Sequence, residues 1–433
     1  MTRELLPQPR FASVSDATPA AGRGLLSRRA MLKGAVALGA GSVLPAYAAE
    51  AHLQGALPWQ QAPGRPFSGY GQPSKYITGL ERSIVQPFGP TAAGNGVSFT
   101  PLHLLRGTIT PAGLHFERHH NGVADIDPAR HQLVIHGLVT RPLKFSLDRL
   151  VRYPMVSRML FIECSGNSFR NTLAEAPQVT CGEIHGLISC SEWTGVPLAL
   201  LLEEAGVDAT ARWVIAEGAD AATMARSVPL SKALDDAMIA LWQNGEPLRP
   251  EQGYPMRLVL PGFEGNMGIK WLHRIKLAAG PMQARDETSH YTDLLPDGKA
   301  LQFTFPMGVK SVITQPSPGW ALQGPGYYEI SGLAWSGVDG IEQVEVSADG
   351  GATWAVAALE EPVLARSLTR FRLPWRWDGA PAVLMSRAHD RRGQVQPPRA
   401  EWIGRYGSTQ RYHYNAVQAW RVEPDGTLHN VYA

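Results

Sequence analysis

From about residue 308 to the end of the chain, apolar and polar residues alternate in short runs. YYEISGLAWSG, EQVEVSADGGATWAVAAL, FRLPWRW and AVLMSRAHD follow one another, and turn signals such as SADGG (347–351) and DRRGQ (390–394) divide them. A period of two puts every other side chain on one face of a strand. Repeated over about 125 residues, such strands close a core by packing two sheets face to face. The pattern predicts a β-sandwich over 306–433, with Val344 and Val346 facing its core and Trp354 across the hairpin. No cysteine lies beyond position 190, so the sandwich has no inter-sheet disulfide.

Upstream, between about 101 and 305, strand and helix signals mix. HQLVIHGLV (131–139) reads as a strand ending at Gly137. RPLKFSLDRLVRYP reads as a short helix with Leu147, Leu150 and Val151 on one face. MLFIEC (159–164), RWVIAEG (212–218) and YPMRLVLPG (254–262) read as buried strands. GVPLALLLEEAGV (195–207) has Pro near its first turn and ends at Ala205-Gly206, as a helix should. The class is therefore α+β, a mixed domain followed by a sandwich. Residues 50–100, rich in Gly, Pro, Gln and Ser, read as an extended arm wrapped on the body. The formal charge is only +2 and no long basic block occurs, which argues against nucleic acid and anionic membrane as partners.

The N-terminus carries a targeting pattern. SRRAMLK (27–33) precedes sixteen uncharged residues, Gly34 to Ala49, too few to meet a bilayer's demand of roughly 20. Small residues at 46–48 offer a cleavage site near Ala48 or Ala49. The paired Arg28 and Arg29 match a twin-arginine export signal; the other reading is an ordinary secretory signal with chance arginines. The expectation is a signal peptide over 1–49 and a bacterial periplasmic location. Of the three cysteines, Cys164, Cys181 and Cys190, an odd count leaves at least one unpaired in an oxidising compartment. Cys181 and Cys190 either pair with each other or serve as small buried hydrophobes.

Three stretches can carry chemistry. In FIECSGN (161–167), Cys164 ends a buried strand and is followed by small Ser165 and Gly166, which leave room for a bulky group. A thiolate there is a soft metal ligand; a free buried cysteine is the plainer reading. In HFERHHN (115–121), Arg118 sits among His115, His119 and His120. That cluster suits a transition metal, an anion or a solvated loop, but neighbouring histidines on an extended chain point opposite ways, which disfavours a three-histidine zinc or copper site. In YPMRLVLPGFEGNMGIKWLHRIKL (254–277), Arg257 and Lys270 sit in apolar strands around a loop holding Gly262, Gly265 and Gly268. Buried cations beside accessible glycine backbone suit a phosphate-bearing ligand; a tight turn with two outward charges is the alternative. No GxGxxG opens a helix here.

Together with GLISCSEWTGVPLALLL, SVPLSKALD, NGEPLRPEQGYPMRLVLPG, GIKWLHRI, SVITQPSPG, GLAWSG and VEVSADGGATW, these stretches run in one order from about residue 100 to the C-terminus. In that order the chain resembles the sulfite oxidase family of molybdenum enzymes. The resemblance implies a molybdenum-cofactor domain over 101–305 and an immunoglobulin-like dimerisation domain over 306–433. It implies a molybdenum-molybdopterin cofactor, with Cys164 as metal ligand. Further cofactor contacts would be Phe116, Glu117, Arg118, His119, His120, Asp220, Gln252, Arg257, Gly268, Ile269 and Lys270. At Gln252 the animal enzymes of the family carry histidine.

Within the family, the twin-arginine pattern, the lack of a haem domain and RDETSHYTDLLPDGKA (285–300) look like the molybdenum subunits of sulfane dehydrogenases in Sox thiosulfate oxidation. That branch implies oxidation of sulfane sulfur borne on a carrier protein, and a homodimer within a hetero-oligomer. No C-x-x-C-H motif is present, so the implied electron acceptor is a separate c-type cytochrome, di-haem by resemblance. Catalytic roles would fall to Cys164, Arg118 and Tyr291. Two departures bear on substrate: the family's arginine after the motif asparagine is replaced by Phe169, with Arg170 next along, and its tyrosine after Arg285-Asp286 is replaced by Glu287, with Tyr291 nearest. The alternatives are a sulfite dehydrogenase acting on free sulfite and a cofactor-free structural partner in a redox complex.

Overall fold

A computed structural model describes residues 20–26, 57–88 and 94–433. The Arg28–Arg29 pair and the uncharged run behind it lie outside the described residues. Among the described residues no helix is long and apolar enough to cross a membrane.

Two five-stranded sheets, one antiparallel and one mixed, build the first domain. One runs Glu246–Pro247, Met238–Gln243, Ile188–Pro197, Val156–Glu163, with Arg257–Val259 pairing against Met238–Ala240. The other runs Leu143–Ser146, Gln132–Gly137, Leu272–Ala278, Trp213–Gly218, Ala225–Pro229, and its one parallel pairing joins Leu272–Ala278 to Gln132–Gly137. Leu198, Leu201, Leu202 and Ala205 of the helix Leu198–Ala205 fill the space between the sheets. A small third sheet, Ser83–Val85, Gly96–Phe99 and Glu117–His119, lies over the site. Because Gly96–Phe99 is fully buried in it, the body of the domain begins a few residues before position 100. The arm before it is mostly exposed, and Arg82 clips it to Glu117.

The C-terminal residues form the expected sandwich. Its sheets run 310–315, 326–335, 369–377, 358–359 and 355–356, 341–347, 382–390, 419–422, 428–431. Val344 and Val346 are fully buried in the core, while Trp354 packs in a separate small cluster with Met385. Cys181 and Cys190 are both free and buried, in the helix Cys181–His185 and the strand Ile188–Pro197.

Three local expectations shift. The helix starting at Leu147 stops at Leu150, which leaves Val151 at its C-cap and 44% exposed. Only Arg257–Val259 of YPMRLVLPG is paired strand. Lys270 precedes its strand, which starts at Leu272, so it sits in the connecting loop.

The strand Val156–Glu163 sets the direction of everything that follows it. Leu160 and Ile162 pack into the cluster beneath the small third sheet, with Cys164 against it, whereas Phe161 packs into the sandwich core. That is the ordinary alternation of a strand. It sends Glu163 toward the sandwich and Cys164 away from it.

Candidate functional site

Cys164 ends its strand with its N–H on the Leu187 carbonyl at 2.9 Å. The chain then turns tightly: Asn167 N–H donates back to the Cys164 carbonyl at 2.8 Å. The Asn167 side chain donates to Glu163 Oε1 at 2.9 Å and accepts from Leu187 N–H at 3.2 Å. Ser168 closes the turn in the left-handed region, φ 68°. Its hydroxyl is gripped from two sides, by Lys310 Nζ and His185 Nδ1, each at 2.7 Å. Burial pushes the Cys164 thiol up, against a pull from the Gly166 N–H and Arg118. A cation at the sulfur would reverse that balance.

Cys164 opens onto a cleft. Phe116, Arg118, His119, His120, Asp220, Gln252, Arg257, Gly268, Ile269, Lys270 and Tyr291 all line it. Glu117 does not: it turns outward to pair with Arg82 and with His119 Nε2, the latter at 2.7 Å. His119 Nδ1 is then left to accept from Lys270 Nζ at 2.8 Å. His119 ends the strand Glu117–His119, and both it and His120 line the cleft; the Tyr291 hydroxyl and His120 Nε2 lie within hydrogen-bond distance at 3.4 Å. Burial drives His115 down to about 3 and His120 to about 4, so both imidazoles are neutral at ordinary pH. Tyr291 is pushed up by burial and stays a phenol.

The floor of the cleft is short of negative charge. Arg118, Arg257 and Lys270 line it against one carboxylate, Asp220, whose own pKa burial raises. Arg257 is 3% exposed. Its Nη1 donates to Gln252 O at 3.1 Å and Oε1 at 3.2 Å, and its guanidinium lies over the Trp193 ring. Its Nε is buried without a partner. Burial lowers Arg257 to about 9, and burial together with Arg257 lowers Lys270 to about 7. A Cβ on Gly268 would stand 3.2 Å from Leu258 O and 3.4 Å from Arg257 Nη2, so this loop passes close to the cations because it carries no side chain. Buried cations, an orphaned guanidinium nitrogen and bare backbone fit an anionic group such as a phosphate.

Among the described residues no three His, Cys, Asp or Glu side chains converge on a point where an ion could sit. A metal at Cys164 would therefore take its other ligands from a cofactor, and the donor set fits one that brings its own sulfurs and ends in a phosphate. That arrangement leaves no place for a zinc or copper ion on His115, His119 and His120.

A wider outer chamber of about 600 Å³ also reaches Cys164, Arg118, His120 and Tyr291. Its walls add Phe88 and Phe99, Phe169, Arg285, and Arg411 and Tyr412 from the sandwich. Arg118 donates to Asn95 Oδ1 at 2.7 Å and lies over the Phe88 ring. Tyr291 packs against Tyr412, ring centroids 5.3 Å apart. Phe169 is in the wall, whereas Arg170 lies over Phe99 and outside the chamber lining. Arg411 and Tyr412 escaped the sequence reading, since nothing near them in the chain marks a site. Trp271 did too: its indole donates to Pro250 O and closes the cleft beside Lys270.

Residues 120–285 match the family described as the oxidoreductase molybdopterin binding domain, and residues 302–419 the Mo-co oxidoreductase dimerisation domain. The NAD(P)H nitrate reductase of Hordeum vulgare is 33% identical over 310 residues, covering 64% of this chain and 34% of that protein. The mitochondrial sulfite oxidase of Mus musculus is 32% identical over 280 residues, covering 60% and 51%. The chain thus spans about a third to a half of the length of these curated relatives. The crystal structure of the sulfane dehydrogenase SoxCD from Paracoccus pantotrophus superposes with a TM-score of 0.85 at 42% identity, covering 88% of this chain and 98% of that one.

Proposed function

Because the chain belongs to the sulfite oxidase family of molybdenum enzymes, we propose that it is the molybdenum-cofactor subunit of a periplasmic sulfane dehydrogenase. It oxidises sulfane sulfur carried on a partner protein's cysteine during thiosulfate oxidation, and its electrons leave to a c-type cytochrome. The sandwich holds two copies together within the larger complex.

When bound, the cofactor's molybdenum supplies oxygen-atom transfer to sulfur with a two-electron change. The chain's own residues do the rest. Cys164 holds the metal. Arg257, Lys270 and the Gly265–Gly268 backbone hold the cofactor's anionic tail. Gln252 braces Arg257 and donates to Phe116 O at 3.1 Å. Arg118 and Tyr291 belong to both the cleft and the outer chamber, so they face whatever enters. Arg118 draws an anionic sulfur group toward Cys164, and Tyr291, as a neutral phenol, donates a hydrogen bond to it.

The observation that carries the substrate reading is the outer chamber, whose aromatic walls leave far more room than free sulfite would fill. A second reading, a sulfite dehydrogenase, draws on the same chamber's cations, Arg118, Arg285 and Arg411, which suit a small anion. Steady-state cytochrome reduction by the purified complex separates them: turnover with the persulfidated carrier well above turnover with sulfite alone is expected, and the reverse would establish the second reading. Elemental analysis tests the shared premise, since a cofactor-free structural partner would hold no molybdenum. Cys164→Ser should lose molybdenum and activity together while the fold persists; a variant with normal metal content and full turnover would remove Cys164 as the ligand.

A further inference from the structure

The residues just upstream of the Arg28–Arg29 pair are part of the sandwich. Ala20–Leu26 lies along the outer end of the strand Thr369–Trp377, past the point where Ala358–Leu359 pairs with it. Leu25 bridges Trp375 in antiparallel register. Leu26 N–H donates to Pro374 O at 3.1 Å, and Arg376 N–H donates to Gly24 O at 2.9 Å. Trp375 Nε1–H donates to Arg23 O at 2.7 Å, and Gly22 N–H donates to Thr353 Oγ1 at 2.8 Å. Leu25 is fully buried among the sandwich's core residues. The fit is tight at two places: a Cβ on Gly24, at φ +83°, would stand 1.9 Å from Arg376 O, and one on Gly22 would stand 2.5 Å from Asp349 Oδ2.

This is strand addition, in which main-chain bonds supply affinity and a side-chain pocket supplies selectivity. We propose that this edge of the sandwich is a binding groove for the chain's own leader segment, filled in the full chain and vacated when that segment is removed. The groove is made of residues 349–353 from one sheet and 374–376 from the other. Those parts meet only once both sheets have packed, so only a chain with a finished C-terminal domain holds the leader. Arg28 follows Leu26 by two residues in the sequence. The held segment is therefore the stretch directly upstream of the expected export signal. Nothing in this inference depends on the molybdenum chemistry.

The test is tryptic cleavage of the Arg23–Gly24 bond in the full chain, with and without cofactor. The Trp375 indole and the paired backbone protect that bond in the native chain. Leu25→Asp and Gly24→Ala should each speed cleavage after Arg23 by about tenfold or more, the loss of one leucine's burial or of the glycine's fit. A fluorescent peptide of residues 20–26 should bind the Leu25→Asp chain, whose groove is open, and not the native chain. Equal cleavage after Arg23 in all three chains, or no peptide binding to the Leu25→Asp chain, would overturn the proposal.

Discussion

Lys270 shows how a site is poised by what it lacks. Its ammonium donates to Arg118 O at 3.2 Å, Glu251 O at 3.1 Å and His119 Nδ1 at 2.8 Å. Burial, then the Arg257 guanidinium, push it down to about 7, whereas an unfolded lysine titrates near about 10.4. Between those values the unfolded chain binds a proton that the folded, cofactor-free chain does not, so this group makes stability rise with pH across that window; below it both states are protonated and the slope vanishes. Urea midpoints of cofactor-free protein should therefore climb more from about pH 7 to about pH 9 in the native chain than in Lys270→Met. Equal climbs would take Lys270 out of the account. An anionic ligand favours the ammonium, so uptake of the cofactor's tail above neutral pH should draw a proton from solution. At this scale much of the site was legible beforehand. A cysteine closing an apolar strand, an arginine inside one and a run of glycines each leave a mark in the linear string. Arg411 and Tyr412 leave none, because only the fold carries them from the sandwich to the chamber.

The helix Leu198–Ala205 shows how well ends are written and how poorly middles are. Pro197 stands at its N-cap and Gly206 at its C-cap, and both could be read from the sequence. Gly206 adopts φ 68° and ψ 87°, with its N–H shared between Leu202 O and Glu203 O, both at 3.1 Å. An added Cβ would stand 2.9 Å from Thr140 Oγ1. Gly206→Ala should cost about 1–2 kcal/mol for the left-handed backbone, more if Thr140 cannot yield. Chemical denaturation measures it, and Thr140→Ala added to the variant should return only the contact part. A neutral Gly206→Ala would mean that the cap relaxes freely. By contrast, YPMRLVLPG reads as one long strand, yet Leu258 N–H is drawn to Ile269 O at 2.8 Å and Leu272 N–H to Met256 O at 3.0 Å. These bonds tie the short paired strand Arg257–Val259 to the segment that carries Gly268, Ile269 and Lys270, a tertiary demand that overrides the local apolar run.

Across the whole molecule, the two domains meet directly behind the candidate metal ligand. Glu163, Lys310 and Trp335 are all nearly inaccessible. Lys310 Nζ donates to Glu163 Oε1 at 3.3 Å, and Trp335 Nε1 donates to Glu163 Oε2 at 2.7 Å. Alternation along Val156–Glu163 makes this possible, since the residue before Cys164 has to face the sandwich. The sandwich also holds the motif loop through the Lys310 bond to Ser168 and through His413 N–H, which donates to Ser165 O at 2.8 Å. Each domain's class could be read from its own periodicity; their mutual seating could not, because a lysine opening the strand Lys310–Gln315 looks like an ordinary solvated strand end. Removing one member of a buried pair strands the other charge, at about 3–5 kcal/mol. Lys310→Met should therefore be strongly destabilising in urea unfolding, and Glu163→Gln similarly so. Combining them removes both charges and should recover most of the loss, a coupling of about 2 kcal/mol or more. The molybdenum content of the same proteins then reports whether the Cys164 turn has kept its shape: it should fall in Lys310→Met and return in the double variant. Additive losses with unchanged metal content would mean that the sandwich merely sits beside the site and does not hold it.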